Sequence, residues 1–357
     1  MQRWGGCVRG EGLLGGGGRG GLCGGWRHGL KPTVLRHACG EGRLRAGSLE
    51  VVSAPIVAVI GGGQLARMMQ EEASALGIHL RALVEAADGS TGQVTPDALV
   101  GAADDEAAVR AVVAGDGTQG SGGEPAAVVT FEHEHQDASL LERLQAEGVS
   151  VQPAPQALEL ARDKLAMRRA MSQAGLPQPA WAEVGGPGQE TAEQMADAVE
   201  AFAVEHGWPV VLKTPRGGYD GHGVLLVRSV ESLHEGEAAE WLASVARARA
   251  GQGDGQGTGG GGSLGGAAVT SLLVEQAIPF TRELAVLLAR RPSGQIAVWP
   301  VAQTVQEDGM CAEVLAPAPG LDSIAVEETE LIGRTVAERT GVTGVLAVEL
   351  FAVETFG

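Results

Sequence analysis

The sequence predicts an α/β protein of two regions in tandem, and three observations carry that expectation. An apolar run, Ile56-Val57-Ala58-Val59-Ile60, passes straight into Gly61-Gly62-Gly63 and then into Leu65, Met68, Met69 and Ala73 at helical spacing, the pattern of strand, glycine turn and helix. Short apolar runs then alternate with a helical stretch up to residue 130, as in a parallel sheet joined by crossovers. Downstream, two Val- and Leu-rich runs bounded by Pro and Gly enclose four glycines and two cations, the pattern of a strand hairpin that handles phosphates.

A length of 357 residues and a hydrophobic content of 44% allow two or three domains with ample cores. No apolar run approaches a membrane span. The formal charge of −18 argues against a nucleic-acid surface, which needs a basic face, so any anion site must be a local positive pocket. Cys7, Cys23 and Cys39 precede residue 50 and only Cys311 lies in the body, which excludes a disulfide framework and a thiolate metal cluster. Residues 1–53 stand apart: sixteen of the first fifty are Gly, and eight Lys or Arg face three Glu, against 18 basic and 41 acidic residues in the remainder. An Arg-rich, acid-poor leader suits an organellar transit peptide, and translated upstream sequence is the alternative; both readings set it outside the fold.

A strand over residues 80–84 ends in Glu85, near the distance at which dinucleotide folds place a ribose-binding acid. A Rossmann-like domain over residues 54–155 follows. A nicotinamide-dependent oxidoreductase using Gly61, Gly63 and Glu85 is one functional reading. Residues 98–101 and 126–130 read as further parallel strands, separated by a helix over residues 104–114 and a glycine-rich loop over residues 115–123. The last strand runs into Glu132-His133-Glu134-His135. Two histidines at i, i+2 share one strand face, yet zinc needs three or four converging ligands and no second His pair follows. A ligand crevice and a solvated charged turn both fit this segment.

Residues 158–174 read as one amphipathic helix containing Asp163-Lys164-Leu165, ended by Gly175 with Pro177 beyond. A helix over residues 190–206 leads to the hairpin, where glycines let backbone N–H groups approach anionic oxygens and Lys213 ends the first strand. The lysine precedes the glycines and no Gly-Lys-Ser/Thr occurs, so this is not a Walker loop. Residues 231–250 read as a helix that runs into residues 251–266, where ten of sixteen are Gly. Strands follow at residues 271–276, from Glu283 onward and at residues 296–301, then a helix over residues 331–340 and an apolar strand over residues 344–351 with Glu349 in its middle. A lone carboxylate in a buried strand is costly unless paired or bound to a cation, which makes Glu349 a magnesium-ligand candidate.

Lys213 followed by Gly218-Tyr219-Asp220-Gly221-x-Gly223 resembles the lid loop of the ATP-grasp ligases, and among them the 5-(carboxyamino)imidazole ribonucleotide synthetases of purine biosynthesis. The resemblance runs from about Ile56 to the last residue. It is closest to the plant-type form, in which the synthetase is the N-terminal part of a two-domain phosphoribosylaminoimidazole carboxylase. It implies an α/β chain with the Rossmann-like domain first and an ATP-grasp domain over residues 156–357. That domain comprises a small α+β lid at about residues 183–274, into which residues 251–266 are inserted, and a central α+β part incomplete at its C-terminus. The implied reaction is ATP-dependent carboxylation of 5-aminoimidazole ribonucleotide with bicarbonate, through carboxyphosphate, with magnesium.

The same resemblance implies the site. Lys213 and Glu349 take catalytic roles, Glu349 as metal ligand. Lys164, Lys213, Gly218, Tyr219, Asp220, Gly221, His222 and Gly223 meet ATP phosphates, and Glu275, Gln276, Ala277, Ile278 and Glu283 meet adenine and ribose, with Gln306 nearby. Gly63, Gln64, Glu132, Glu134, His135 and Tyr219 meet the ribonucleotide. Gln306 stands where the family often has histidine, and His222 where it often has arginine; both reduce fixed positive charge. The family's second metal ligand, in an Asn-Glu pair, would follow Gly357, so the expectation is a fragment that binds nucleotide weakly and does not turn over. A non-catalytic nucleotide-binding protein is therefore a further reading. The implied partners are small molecules, with a homodimer, a mutase domain beyond Gly357 and a plastid location, the cytoplasm being the alternative.

Overall fold

The computed structural model describes residues 54–116, 123–134, 136–217, 223–251, 269–307 and 310–353. From Pro55 onward these belong to one compact unit. The expectations for residues 1–53, His135, Gly218, Tyr219, Asp220, Gly221, His222 and residues 252–266 lie outside the described residues. No helix among the described residues is long and apolar enough to cross a membrane.

The first region contains β1 (Ile56–Ile60), α1 (Gln64–Leu76), β2 (His79–Val84), β3 (Asp97–Val100), α2 (Glu106–Ala114), β4 (Val128–Phe131) and α3 (Ala138–Ala146). All four strands are parallel, in the order β3-β2-β1-β4, as the alternating pattern predicted. β1 lies inside the sheet with one face against the core that α1 helps to form and the other against α2 and α3, which is why it reads as an unbroken apolar run. Asp105 and Asp137 accept hydrogen bonds from the first turns of α2 and α3 and fix where those helices begin.

Two helices, α4 (Pro155–Arg162) and α5 (Lys164–Gln173), replace the single helix expected over residues 158–174. The break is Asp163, held extended at φ −124° and ψ 110°, whose carboxylate accepts from Ala166 N at 2.9 Å and caps α5. Lys164 is thereby the first residue of a helix rather than one from the middle of a longer one.

Next come β5 (Trp181–Val184), α6 (Ala192–His206), β6 (Val210–Lys213), β7 (Val224–Val227), α7 (Val230–His234), α8 (Glu237–Arg249) and β8 (Leu272–Gln276). The antiparallel sheet has the order β5-β8-β6-β7, and Val210, Leu212, Leu272 and Val274 turn one face of it onto α6 and α8. The expected hairpin is β6 against β7, with Lys213 opposite Val224. The helix expected over residues 231–250 is divided at Gly236, whose φ of 74° cannot continue a right-handed helix.

The last region holds β9 (Arg282–Arg290), β10 (Ile296–Val298), β11 (Ala302–Glu307), β12 (Met310–Leu315), α9 (Ser323–Thr340) and β13 (Gly344–Ala352). β13 runs antiparallel along the whole of β9, while β10 and β11 pair with its two ends. α9 begins well before the predicted residue 331, because Asp322 caps it through Ala325 N at 2.8 Å. β13 is half-buried rather than buried, so the cost of enclosing Glu349 does not arise and its candidacy rests on position.

Candidate functional site

Alternation along the lid sheet builds the centre of the site. Val210 and Leu212 face the helices, so Val211 and Lys213 face the other way; Glu275 lies opposite Val211 and therefore diagonal to Lys213 on that same face. Lys213 is 6% exposed and Glu275 3%. One carboxylate oxygen of Glu275 accepts from Lys213 Nζ and the other from Arg168 Nε, the latter at 2.6 Å. Arg168 is buried too, on α5, four residues after Lys164 and hence on the same helix face.

Electrostatics bind these groups together. Burial alone would raise the Glu275 carboxyl, but the charges of Lys213 and Arg168 and their hydrogen bonds outweigh it and hold the group at about 2. For Lys164, burial and then the neighbouring Lys213 charge lower the pKa, with Glu275 and Asp163 opposing. Asp163 and Glu159 are engaged by Arg216 from the base of the lid loop, through Arg216 Nε at 2.9 Å from Asp163 and Nη2 to Glu159. Lys164 N also donates to Pro215 O at 2.9 Å, tying that loop to the start of α5. Lys164, Arg168 and Lys213 therefore gather around Glu275, and positive charge exceeds negative there.

Glu275, expected to accept from an adenine amino group, has both carboxylate oxygens engaged as an internal counter-ion, and the Gln276 side chain donates to His206 O at 3.3 Å, which leaves its backbone for the adenine edge as expected. What the strand end offers at Ala277 and Ile278 is backbone. Ile278 shares a cavity of about 430 Å³ with Arg168, Gln178, Glu349 and Phe351, and Phe351 stacks on Phe280 with ring centroids 4.4 Å apart. Glu283 lies on β9 opposite Thr304 and Phe351. Gln306, on β11, has a buried side-chain oxygen with no hydrogen-bond partner among the described residues, an acceptor available to a donor from outside.

Among the described residues, no group of three His, Cys, Asp or Glu could hold a metal by itself. Magnesium does not require one, since it takes one or two carboxylates and completes its shell with phosphate and water oxygens. Glu349, a hard oxygen donor on the wall of a roomy cavity, fits that pattern.

The glycine turn of the first region is arranged differently. Glu132, at the carboxyl end of β4, accepts from Gly63 N at 2.6 Å and Leu65 N at 3.0 Å, so its carboxylate caps the N-terminus of α1. A Cβ on Gly63 would lie 2.3 Å from Glu132 Oε1. Ser90 Oγ donates to Gln64 Oε1 at 3.1 Å and Thr91 Oγ1 to Gly63 O at 2.7 Å, covering the turn from the other side. A phosphate seated on the amides of Gly63 and Leu65, whether of a dinucleotide or of the expected ribonucleotide, would have to displace Glu132. Glu134 follows, half-buried, and Gln136 N donates to its carbonyl at 2.9 Å. Arg168 and Asp163 were not singled out from sequence; i, i+4 spacing from Lys164 marks the first, and an acid preceding a lysine inside an apolar period marks the second.

Residues 169–355 match the ATP-grasp domain family. The chain belongs to the ATP-grasp family. Ahead of that segment, residues 55–162 match the ribonucleotide synthetase preATP-grasp domain. The N5-carboxyaminoimidazole ribonucleotide synthase of Mycobacterium tuberculosis is 43% identical over 298 residues, which cover 84% of this chain and 59% of that protein. This ATP-grasp chain thus spans 59% of that relative's length. Among solved structures, the N5-carboxyaminoimidazole ribonucleotide synthetase of Thermus thermophilus superposes with a TM-score of 0.63 at 29% identity, covering 83% of this chain and 68% of that one. The synthase of Aspergillus clavatus, in complex with ADP and 5-aminoimidazole ribonucleotide, gives 0.66 at 25% identity, covering 85% and 67%.

Proposed function

We propose that the chain binds ATP in the cavity beside Arg168, Ile278 and Glu349 and serves ATP-dependent carboxylation of 5-aminoimidazole ribonucleotide in purine biosynthesis. The observation that carries this reading is the gathering of positive charge: buried Arg168 and Lys213 share one carboxylate, Glu275, half-buried Lys164 stands within electrostatic reach of Glu275 and Asp163, and a polyphosphate supplies a further anion. The named activity of the relatives supports the ribonucleotide as acceptor.

In this reaction a bicarbonate oxygen attacks the γ-phosphorus of ATP, releasing ADP and leaving carboxyphosphate. The exocyclic amine of the ribonucleotide then attacks the carboxyl carbon, expelling phosphate and losing a proton. No side-chain nucleophile is needed; the protein's task is to align reactants and neutralise charge. Lys164 and Lys213 act on phosphate oxygens, and Phe351 with the backbone of Ala277 and Ile278 forms the wall for the base. Glu349 would hold magnesium, which would add positive charge to the site when bound.

Calorimetry is expected to show one MgATP site per chain and no binding of a nicotinamide dinucleotide; the reverse preference overturns the reading. Phosphate release that requires both bicarbonate and the ribonucleotide tests the chemistry, and release indifferent to either sinks it. The composition of residues 1–53 suits an organellar transit peptide and the plant-type resemblance points it to a plastid, with the cytoplasm as alternative; a fluorescent fusion of those residues that stays in the cytosol refutes the plastid. A homodimer and a mutase domain after residue 357 complete the proposal, and the mass of the native assembly checks both.

A further inference from the structure

Resting on that nucleotide reading, we propose that Arg168 is a positioning residue: it keeps Glu275 neutralised so that Lys213 can leave this carboxylate for a phosphate oxygen without orphaning it. The two oxygens of Glu275 are divided, one to Arg168 Nε at 2.6 Å and one to Lys213 Nζ. Glu275 is 3% exposed, so water cannot take over from a departing cation. With Lys213 as its sole partner, each nucleotide that recruited the lysine would leave a bare carboxylate in a dry site, a penalty that a phosphate contact does not recover.

Arg168 removes that conflict. Its guanidinium donates through Nε to the oxygen of Glu275 that Lys213 does not use, so a cation remains on the carboxylate when the lysine leaves. Its place is fixed by α5, whose first residue, Lys164, is tied to the lid loop through Pro215 O. Gln178 Nε2 donates to Arg168 O at 3.2 Å and steadies the middle of the same helix. Arg168 thus stays put while Lys213, at the end of β6, exchanges one anion for another.

The test is MgATP affinity of the full chain, by calorimetry, in a cycle of Arg168→Gln, Glu275→Gln and the double variant. Arg168→Gln keeps a hydrogen-bond donor but removes the charge, and affinity is expected to fall about tenfold or more. Glu275→Gln releases Lys213 and is expected to bind at least as tightly as the parent. The double variant should match Glu275→Gln, because Arg168 has no task once the carboxylate is gone; a residue that only packs α5 would cause the same loss in both backgrounds. Arg168→Lys, which keeps the charge, should stay within about threefold of the parent. Equal affinity of Arg168→Gln and parent overturns the proposal, as does an undiminished loss in the Glu275→Gln background. If Arg168→Gln does not fold, a structure of the unmodified chain with MgATP decides: Arg168 still bonded to Glu275 and Lys213 moved to phosphate is expected, and Lys213 still bonded to Glu275 refutes it. Absence of ATP binding by the parent would instead overturn the nucleotide reading itself.

Discussion

At Gly61 to Gly63 the amides that open α1 point at an anion the protein supplies, the Glu132 carboxylate, 2.6 Å from Gly63 N and 3.0 Å from Leu65 N. At the β6–β7 hairpin the balance runs the other way, with Arg168 and Lys213 on the carboxylate of Glu275 and Lys164 close to it and to Asp163, itself paired with Arg216. In sequence both are glycine-rich turns after a Val- and Leu- or Ile-rich strand. A glycine pattern reports that something approaches the backbone closely; the local count of charges decides what approaches. The first turn is satisfied from within, while the second leaves a cationic surplus for a ligand.

The comparison is broken most directly by removing the one anion at the cationic end. Glu275→Gln leaves Arg168 and Lys213 buried without a counter-ion, and loss of one partner of a buried pair costs about 3–5 kcal/mol of folding stability. Chemical denaturation without nucleotide measures it, and saturating ATP should recover part of the loss through binding linkage. The effect has a pH window. Burial pulls the Glu275 pKa up and its two cations pull it down further, to about 2 against an ordinary 4.5. A folded value below the unfolded one means that the stabilisation is complete above 4.5 and is lost as pH falls from there toward 2. The gap in melting temperature between parent and variant should narrow over that range; a gap that stays constant as pH falls from 4.5 toward 2 would show that Glu275 is not ionised in the fold.

Lys213→Ala comes next in size. It removes the charge that the surplus depends on, and ATP binding should weaken by ~1.5–3 kcal/mol, the worth of a charge-assisted contact. Unchanged affinity by calorimetry would mean that the hairpin is only a turn.

How much of this was legible beforehand depended on whether a signal was local. Strands of the first region announced themselves because β1 is buried on both faces, and the hairpin because alternation and glycine both lie within twenty residues. Lys213 and Glu349 stand out as single polar residues in apolar strands. Helix breaks were missed because periodicity continues across them: nothing apolar changes at Asp163, and only its side chain's bond to Ala166 N ends one helix and begins another. Glu132 and Glu275 were marked as site acids, but their partners lie 62 to 107 residues away in sequence, at Leu65, Gly63, Lys213 and Arg168. A residue type tells what a side chain can bond; the fold decides whether that capacity is already used.

Gly63→Ala sharpens the other side of the comparison. The new Cβ would sit 2.3 Å from Glu132 Oε1, and overpacking of this kind costs ~1–3 kcal/mol. If Gly63 is glycine to admit Glu132, the penalty should shrink in a Glu132→Ala background, where only the lost cap of about 1 kcal/mol remains. Additive losses in denaturant titrations would mean that Gly63 answers to something other than Glu132.

The smallest effect should come from the most glycine-rich stretch. Ten of the sixteen residues at 251–266 are Gly and Asp254 is the sole charge, so by charge count this run has nothing to hold a phosphate with. The elements on either side are joined independently of it: Arg249 Nη1, at the end of α8, donates to Thr270 O at 3.4 Å, just before β8. Replacing residues 252–266 by a short Gly-Ser linker changes mainly loop-closure entropy, which moves by about 0.6 kcal/mol for each halving of length and acts on folding rather than on binding. ATP affinity should therefore stay within about twofold of the parent. A tenfold loss would place these glycines at the nucleotide, and would show that backbone amides without cations suffice in this chain, against the contrast drawn between Gly63 and Lys213.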